Sequence, residues 1–540
     1  MRTFPRLFRL AAVCAFVGAA TSDALATPSA DGTACRKVVN VVNFIRTLDP
    51  RIPREEAKRI VREEIALCRR YGFPNTIPLQ YDALLDAEYL ALVRPEKDNP
   101  NVEFGFWFEL CKAFVERCGM TWRGRPGWEW DWYIDPGFLM AYTQEERRRL
   151  VDEGMRAFKA EFGHYPKVVG SWLLDAYSMD YMATKYGVDA FPICREQDST
   201  DAYGLRGGYS NGIYYPSKRN MLSAARERAN AVGSPVFKIL TPDPIYNYSR
   251  PDWFYADFPF KQNNCPTLEP VWPSGHTPRI IDWYLRKYLD EPGLLNVSYM
   301  QVGQENFFGW DNLRAGLEYQ FAKLDELRRA GRVTIEKMGE TAAWFKRTHP
   351  VNCPQTQVAL DDWAGTGRKS VWYNCARYRA NLYLYKDRLY FRDIHVMDDH
   401  YAEPFLDRVC RGKVALYYTP PIVDEYLFRT NGLSGMMAFD GRFERLEVAG
   451  AGTDGLSVTC WRKDGSSAKV SFAPEGLTVT GSSLDFECPE SFRETFSFAD
   501  GNWGLRFDGY RYAIGFSGTA QKTDRGVRFV PESGKIRFDP

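Results

Sequence analysis

The sequence predicts an α/β protein in which a βα-barrel is followed by a C-terminal antiparallel β-sandwich. Up to about residue 350, short apolar runs typical of buried strands alternate with amphipathic helical stretches. Alternation over seven or eight strands favours a parallel sheet that closes, or nearly closes, into a barrel. After about residue 351 the helical patterns nearly vanish. Short β-like runs separated by Gly, Asp and Ser replace them, which is typical of a sandwich.

Each barrel element has its own sequence signal. Strands are predicted where apolar runs are bounded by turn residues, at residues 37–44, 75–80, 102–110, 128–134, 168–174, 188–194, 236–240, 297–302 and 333–338. Helices are predicted where apolar residues recur with a helical period, at residues 53–71, 178–186, 280–289 and 313–329. A further helix should begin near Thr143, because Glu146 three residues later completes a capping-box pattern.

The chain begins with a pattern typical of an export signal. Three arginines lie within the first nine residues, an apolar run covers residues 10–20, and Ala24-Leu25-Ala26 is an A-x-A cleavage site. We therefore expect residues 1–26 to be removed and the mature protein to be secreted or periplasmic. No later run approaches the roughly 20 apolar residues that span a bilayer, so no membrane span is expected.

Composition excludes several classes of function. A formal net charge of +1 argues against nucleic acid or an anionic membrane as the main partner. The cysteines form no CxxC pair, the five histidines are scattered, and phosphate-binding and nucleophile-elbow motifs are absent. We therefore expect no metal and no redox or nucleotide cofactor. The high aromatic content of 15% suits a carbohydrate cleft, because flat rings pack against the apolar faces of sugars.

Two carboxylates stand at the ends of the best-defined strands. Asp175 ends the run at residues 168–175, and Glu305 ends the run at residues 297–305. Catalytic groups of βα-barrels lie at the carboxyl ends of the strands. Glycoside hydrolysis needs two carboxyl groups, one to protonate the leaving oxygen and one to attack carbon or activate water. The alternative that each acid only caps the helix after it stays open.

A second set of residues is expected to bind substrate. Asp131 lies between two tryptophans, where an aromatic wall could shape a sugar subsite, although a solvent-facing strand residue between core tryptophans would look the same. Residues 203–216 carry Gly-Gly and Asn-Gly and predict a hairpin or long loop over a cleft. The expected substrate-binding residues are Trp130, Asp131, Trp132, Trp172, Asp201, Tyr203, Arg206, Tyr209, Asp243 and Trp310.

Several segments resemble a known superfamily. The stretch HYPKVVGSWLLDAYSMDYMATKYGVDAFPIC is similar to the superfamily that unites polysaccharide deacetylases with glycoside hydrolase families 38 and 57. In that pattern a strand reaches the active site, and the helix after it ends in a Gly that leads into the next strand. GSWLLDAYSMDY, REQDSTDAYGLRGGY, YYPSKRN and GQENFFGW resemble more closely a group of exported bacterial domains of unknown function. The resemblance covers roughly residues 36 to 400.

The resemblance implies a distorted (β/α)7 barrel followed by a β-rich domain. It also implies that a carboxylate at a strand end is the nucleophile and that a later one acts as acid, positions that Asp175 and Glu305 match by placement. The deacetylase branch needs an Asp-Asp pair after the first strand and a histidine pair, and this sequence has neither. Metal-dependent deacetylation and the zinc chemistry of family 38 are therefore not supported by the sequence.

These observations predict an exported glycoside hydrolase that acts on a polysaccharide or glycan. We expect a βα-barrel catalytic domain at residues 36–350 and a β-sandwich domain at residues 351–540. The expected mechanism is retaining, with Asp175 as nucleophile and Glu305 as general acid/base. Two alternatives remain open: a metal-dependent carbohydrate deacetylase or esterase, and a barrel that binds glycans without turning them over.

Overall fold

The computed structural model describes residues 35–200, 202–246 and 266–540. The predicted export signal, residues 1–26, lies outside this range. Within the described part, no helix combines the length and apolar character that a bilayer crossing requires. The predicted boundary at residues 350–351 falls in the connection between the last barrel helix, which ends at Thr348, and the first sandwich strand, which begins at Gln355.

Seven parallel strands form the barrel in the described residues, with short antiparallel strands inserted among them. The strands up to residue 350 are β1 (Arg36–Val42), β2 (Asn75–Gln80), β3 (Val102–Trp107), β4 (Val169–Gly170), β5 (Phe191–Cys194), β6 (Gln197–Thr200), β7 (Tyr203–Arg206), β8 (Ile213–Tyr214), β9 (Pro216–Ser217), β10 (Asn220–Ala224), β11 (Val236–Ile239), β12 (Val297–Val302) and β13 (Thr334–Ile335). The parallel order β12-β1-β2-β3-β4 continues through β5 to β11. A bridge between Val168 and Ala190 joins β4 to β5.

The barrel closes between β11 and β12 through side chains rather than through a regular ladder. The Thr241 hydroxyl donates to the Gln301 carbonyl and accepts from the Gln301 N–H, both at 2.8 Å. The Leu240 N–H donates to the Gln301 side-chain oxygen at 2.8 Å. Leu240 and Thr241 have φ values of 75° and 34°, so the chain leaves the strand conformation here. This seam completes the distorted (β/α)7-type barrel.

Eleven of the helices in the described residues surround the barrel and connect its strands, and the last two lie in the C-terminal region. They are α1 (Arg54–Tyr71), α2 (Tyr81–Leu85), α3 (Ala87–Val93), α4 (Lys112–Arg117), α5 (Ile134–Gly137), α6 (Gln144–Phe162), α7 (Ala176–Tyr186), α8 (Pro273–His276), α9 (Pro278–Leu289), α10 (Trp310–Arg329), α11 (Met338–Thr348), α12 (Glu425–Phe428) and α13 (Glu490–Arg493). The capping box predicted at Thr143 and Glu146 is confirmed at the start of α6. Two clusters of buried apolar side chains pack helices such as α1, α6 and α10 against the sheet.

Two antiparallel sheets form the C-terminal sandwich, and the predicted fold class is confirmed. The strands of the C-terminal region, all in the sandwich except β18, are β14 (Gln355–Ala359), β15 (Lys369–Asn374), β16 (Tyr378–Tyr385), β17 (Arg388–Val396), β18 (Ala415–Tyr418), β19 (Pro421–Asp424), β20 (Met437–Phe439), β21 (Phe443–Ala451), β22 (Gly455–Arg462), β23 (Ser467–Ala473), β24 (Gly476–Thr480), β25 (Leu484–Glu487), β26 (Ser497–Ala499), β27 (Asn502–Phe507), β28 (Tyr510–Ser517), β29 (Thr519–Lys522), β30 (Gly526–Val530) and β31 (Lys535–Asp539). One sheet has the order β14-β15-β16-β17-β20-β25-β30-β29, with β19 beside β17, and the other has β21-β22-β23-β24-β31-β28-β27-β26. Their inner faces share one apolar core.

The C-terminal region also reaches into the barrel. Strand β18 does not join either sandwich sheet but pairs in parallel with β7, which in turn pairs with β6. The N–H of Ile134 donates to the carbonyl of Lys413, and the N–H of Cys410 donates to that of Met140. The connection between β17 and β18 therefore packs across the barrel, on the side where the loops after the parallel strands lie.

One predicted strand is wrong. Residues 128–134 form a loop that leads into α5. The Asp131 carboxylate accepts hydrogen bonds from the backbone and the guanidinium of Arg125, and one from the Tyr133 N–H. These bonds fold the segment back on itself, so its pairing is limited to an isolated bridge between Trp130 and Cys111 and does not extend into a strand.

Loss of the Thr241 hydroxyl from the seam between β11 and β12 should destabilise the protein. We expect Thr241→Val to lower the free energy of unfolding by about 2–4 kcal/mol, because it leaves the buried N–H and carbonyl of Gln301 without their partner. Thr241→Ser keeps the hydroxyl and should cost clearly less. Chemical denaturation of both variants measures the difference. Equal losses would show that the hydroxyl does not hold the seam.

Candidate active site at the mouth of the barrel

A cavity opens where the parallel strands end. Residues that follow β1, β3, β4, β5, β11 and β12 all reach it, as expected for the carboxyl end of a βα-barrel. The lining residues are Arg46, Arg51, Glu109, Trp130, Trp132, Phe138, Trp172, Arg195, Gln197, Tyr203, Leu240, Glu269, Trp272, Glu305 and Phe308. Three arginines, three glutamates and seven aromatic side chains therefore meet in one place.

At the bottom of the cavity one guanidinium joins two carboxylates. Arg46 Nη1 lies 3.1 Å from Glu109 Oε2, and Arg46 Nη2 donates to Glu305 Oε2. The indole N–H of Trp107 donates to the same Glu109 oxygen at 3.1 Å. Asp49 Oδ2 lies 3.6 Å from Arg46 Nη2. All of these charged side chains are almost fully buried, so they interact with little screening by water.

Glu305 is set up to hold a proton near neutral pH. Its side chain is 5% exposed. Burial raises the pKa of the Glu305 carboxyl to about 7; the charges of Arg46 and Arg51 oppose this rise, and those of Glu109 and Asp49 add to it. A carboxyl group with such a pKa can donate a proton at neutral pH, as a general acid must.

A glycine fixes the backbone before Glu305. Any other residue at this position would force neighbouring atoms to move. Gly303 has a φ of 101°, and a Cβ there would lie 2.4 Å from the Val42 carbonyl oxygen. This close approach brings the Gln304 N–H to the side-chain oxygen of Asn43 at 3.1 Å. The chain after β12 is thus held against the end of β1, and Glu305 follows directly.

A reciprocal pair of hydrogen bonds holds Arg46 beside Glu305. The Arg46 N–H donates to the Asn306 side-chain oxygen at 3.1 Å, and the Asn306 amide donates to the Arg46 carbonyl at 3.0 Å. Asn306 directly follows Glu305 in the chain. The sequence neighbours of the acid therefore fix the position of the arginine that contacts it.

Tryptophans form the wall of the cavity. The Arg46 guanidinium lies 4.4 Å from the Trp130 ring centre, and that of Arg125 lies 4.0 Å from the Trp132 ring centre. The Trp172 ring meets the Trp107 ring edge-on at 5.2 Å. Partly exposed tryptophan rings beside buried acids give the cavity the apolar surfaces against which sugar rings pack.

The structure brings some of the predicted site residues together and separates others. Glu305, Trp130, Trp132, Trp172 and Tyr203 all line the cavity. Asp201 lies outside the described residues. The remaining six predicted residues do not line the cavity and have other partners.

Asp175 is one of these six, and the structure gives it the helix-capping role that the sequence left open. It is fully buried at the start of α7, where it accepts hydrogen bonds from the N–H and the hydroxyl of Ser178. Its Oδ1 also forms a 3.0 Å ion pair with Arg147. Both oxygens are therefore engaged away from the cavity. The expected pairing of Asp175 with Glu305 is replaced by a pairing of Glu109 with Glu305.

Asp131 and Asp243 likewise have structural partners. Asp131 forms a two-point ion pair with Arg125, at 2.9 Å for each contact, and so supports the tryptophan wall without lining the cavity. Asp243 accepts hydrogen bonds from the N–H groups of Ile245 and Tyr246 and from the Trp363 indole at 2.6 Å. Burial raises the pKa of Asp243 to about 6.

Arg206, Tyr209 and Trp310 were expected at the substrate but pack elsewhere. The Arg206 guanidinium lies 3.6 Å from the Tyr426 ring centre, on the sandwich side. The buried Tyr209 hydroxyl donates to the Cys353 carbonyl. Trp310 begins α10 and belongs to an apolar core outside the cavity. The segment at residues 203–216, which was predicted to form a loop over the cleft, contributes Tyr203 to the cavity. Its Arg206 contacts the sandwich, and its Tyr209 contacts the connection that leads into the sandwich.

Sequence reasoning missed most of the charged lining. Glu109 lies inside the run at residues 102–110 that predicts a strand, whereas β3 ends at Trp107 and leaves Glu109 just beyond the strand end. Arg46 and Arg195 follow β1 and β5 closely, so their positions at strand ends were visible signals. They were missed because only acids were considered for catalysis.

The cavity does not fit the divalent cation that the deacetylase resemblance would imply. The described lining residues offer carboxylates but no histidine, and the guanidinium of Arg46 already lies between Glu109 and Glu305. Within the described residues, one His/Asp cluster is compact enough to share an ion: Asp393, His395 and Asp424, in the sandwich. There Arg379 already binds both oxygens of Asp393.

One solved structure confirms the kind of fold. A candidate glycoside hydrolase/deacetylase from Parabacteroides distasonis is similar over 72% of this chain and 91% of its own, at 14% identity and a TM-score of 0.55. A GH57-type branching enzyme from Pyrococcus horikoshii matches 58% of this chain and 70% of its own, at 10% identity and a TM-score of 0.33. A 4-alpha-glucanotransferase from Thermococcus litoralis matches 93% and 97%, at 8% identity and a TM-score of 0.27.

These similarities concern the fold alone. The TM-score of 0.55 indicates a shared barrel architecture, and the two lower scores support no structural inference. No family model matches the sequence, and no curated protein matches it. The chain is therefore an α/β protein whose barrel is similar to that of a candidate glycoside hydrolase/deacetylase.

The capping role of Asp175 can be tested by stability. Asp175→Asn should lower the free energy of unfolding by about 2–4 kcal/mol, because it weakens a buried ion pair and removes one hydrogen-bond acceptor. Asp86 also caps a helix, α3, through the N–H groups of Glu88 and Tyr89, and it pairs with Arg54, but it is more exposed than Asp175. Asp86→Asn is the matched control and should change little, since Asn caps helices as well as Asp. A stable Asp175→Asn protein would contradict the structural role.

Proposed function

We propose that this protein is a glycoside hydrolase that cleaves a polysaccharide or glycan at the mouth of its barrel. The observation that carries the proposal is the pair of buried carboxylates, Glu109 and Glu305, on one guanidinium inside an aromatic cavity. The raised pKa of the Glu305 carboxyl suits it to the role of proton donor. Two carboxyl groups with separate roles are what glycosidic bond cleavage requires.

In the proposed reaction Glu305 protonates the glycosidic oxygen while the bond from that oxygen to the anomeric carbon breaks. A carboxylate oxygen of Glu109 forms a bond to the anomeric carbon and gives a glycosyl ester. Glu305, now ionised, takes a proton from water, and the hydroxide so generated displaces Glu109. The short contacts of both carboxylates with Arg46 favour the small separation of a retaining enzyme, about 5 Å, over the wider one of an inverting enzyme.

The other cavity residues would bind the sugar rings. Trp132 and Trp172 offer partly exposed ring surfaces beside the two acids. Arg51, Arg195 and Gln197, which also line the cavity, would offer hydrogen-bond donors to the sugar hydroxyls. Export of the mature chain is part of the proposal and rests on the signal pattern at residues 1–26.

Two substitutions test the assignment of the carboxylates. Glu305→Gln and Glu109→Gln should each lower kcat by about 10²–10⁴-fold on a cleaved glycan, because each removes one of the two reacting carboxyl groups. Asp175→Asn, outside the cavity, should keep turnover in the folded fraction. The measurement is release of reducing ends from a glycan panel in the presence of EDTA.

Each other outcome of that measurement has a definite meaning. Turnover that survives both glutamine variants would overturn the assignment. Acetate release that EDTA abolishes would indicate a metal-dependent esterase instead. Glycan binding without turnover, unchanged in both variants, would indicate a binding protein. The anomer that appears first by NMR distinguishes retention from inversion.

The pH dependence follows from the protonation state of Glu305. A general acid works only when protonated, so kcat/KM should fall as the pH rises through about 7. Arg46 favours the charged form of Glu305, so Arg46→Met should move this alkaline limb to higher pH. Arg125→Met, which removes a cation that contacts Trp132 and not Glu305, is the control and should leave the limb in place. If the alkaline limb does not move in Arg46→Met, a group other than Glu305 determines it.

A further inference from the structure

One wall of the cavity is built by a segment whose middle residue points away from it. Arg195 and Gln197 line the cavity, whereas Glu196 between them is 2% exposed and contacts the sandwich. The segment directly follows β5, which ends at Cys194. The direction of the Glu196 side chain therefore decides how its two neighbours face the cavity.

Arg379 of the sandwich holds Glu196. Its Nη1 donates to Glu196 Oε1 at 2.6 Å, and the same oxygen accepts the Gly207 N–H at 2.8 Å. Burial opposes ionisation of Glu196, but the charges of Arg379, Arg206 and Lys238 outweigh it and lower its pKa. The contact is thus an ion pair withdrawn from water, with a hydrogen-bond geometry that fixes both partners.

Arg379 is itself fixed within the sandwich. It lies on β16 with no exposed side-chain surface and binds Asp393 on β17 through two bonds of 2.9 and 2.7 Å. Asp393 lies next to His395, which pairs with Asp424 at 2.9 Å. Both strands lie in the interior of a sheet, so the sandwich fixes the position of Arg379. The segment that carries Glu196 is therefore held in place by Arg379.

We propose that Arg379 is a positioning residue for the cavity, so that the sandwich completes the active site rather than being an appended domain. Through Glu196, Arg379 sets the orientation of Arg195 and Gln197, which contact the glycan. The proposal rests on the proposed function for the role of these contacts, but the tether itself is independent of it.

Hydrogen exchange measures the tether without any substrate. In Arg379→Met, backbone amides between residues 191 and 197 should exchange about tenfold faster, because local opening no longer breaks the ion pair. The control is Arg392→Met. Arg392 is equally buried on β17 but donates to Asn381 and to the Ile245 carbonyl, so exchange at 191–197 should stay unchanged. If Arg379→Met does not fold, Glu196→Gln, which keeps the shape and removes the charge, carries the same measurement.

Kinetics then link the tether to the cavity. In Arg379→Met, kcat/KM should fall about 10- to 100-fold, mainly through KM, while the alkaline limb set by Glu305 stays in place. Arg379→Lys should restore part of the loss. Unchanged or uniformly faster exchange would overturn the proposal, and so would a loss of kcat alone in proportion to the unfolded fraction. If exchange at residues 191–197 becomes faster in Arg379→Met but the protein cleaves no glycan, the tether is supported and the proposed function is rejected.

Discussion

The charge of Arg46, withdrawn from water at the mouth of the barrel, constrains the whole site. A buried guanidinium must be compensated, and Glu109, Glu305 and Asp49 do so from three different chain segments. Arg51 also binds Asp49, and the three acids still outnumber these two guanidinium groups, so one acid can keep a proton at little cost. Burial raises the pKa of Glu305 and so favours its protonated form. The same arrangement excludes a divalent cation from the position between the two carboxylates.

The barrel is irregular, and the irregularities provide room for the site and its supports. Strand β4 has two residues, and the seam between β11 and β12 is closed by Thr241 and Gln301. Polar side chains that leave the regular ladder can then turn toward the cavity or toward the sandwich. The sandwich contributes buried charged side chains such as Arg379 to these contacts, and β18 pairs with β7. The two regions therefore share polar contacts as well as apolar surface.

Much of the fold could be predicted, but only a minority of the residues that line the cavity. Strand β2 has the predicted bounds, and the capping box of α6 is confirmed, because local apolar patterns and caps act within a few residues. The placement of Glu305 after β12 put it at the cavity for the same reason. Asp175 looked equivalent in sequence. It differs because α6 brings Arg147 against it, a contact between residues 28 positions apart that no local pattern reveals.

The sequence by itself determined the alternation of strands and helices, the change to short β-strands after residue 350, and the presence of acids at strand ends. Hydrophobic periodicity encodes these features locally. Only the tertiary structure decided which acids meet. Glu109 and Glu305 are joined by Arg46 because the ends of β1, β3 and β12 converge on one edge of a closed barrel. It also decided that Glu196 is held by Arg379, 183 positions later in the chain. Electrostatic pairing of buried charges depends on distances in space, which the order of residues does not give.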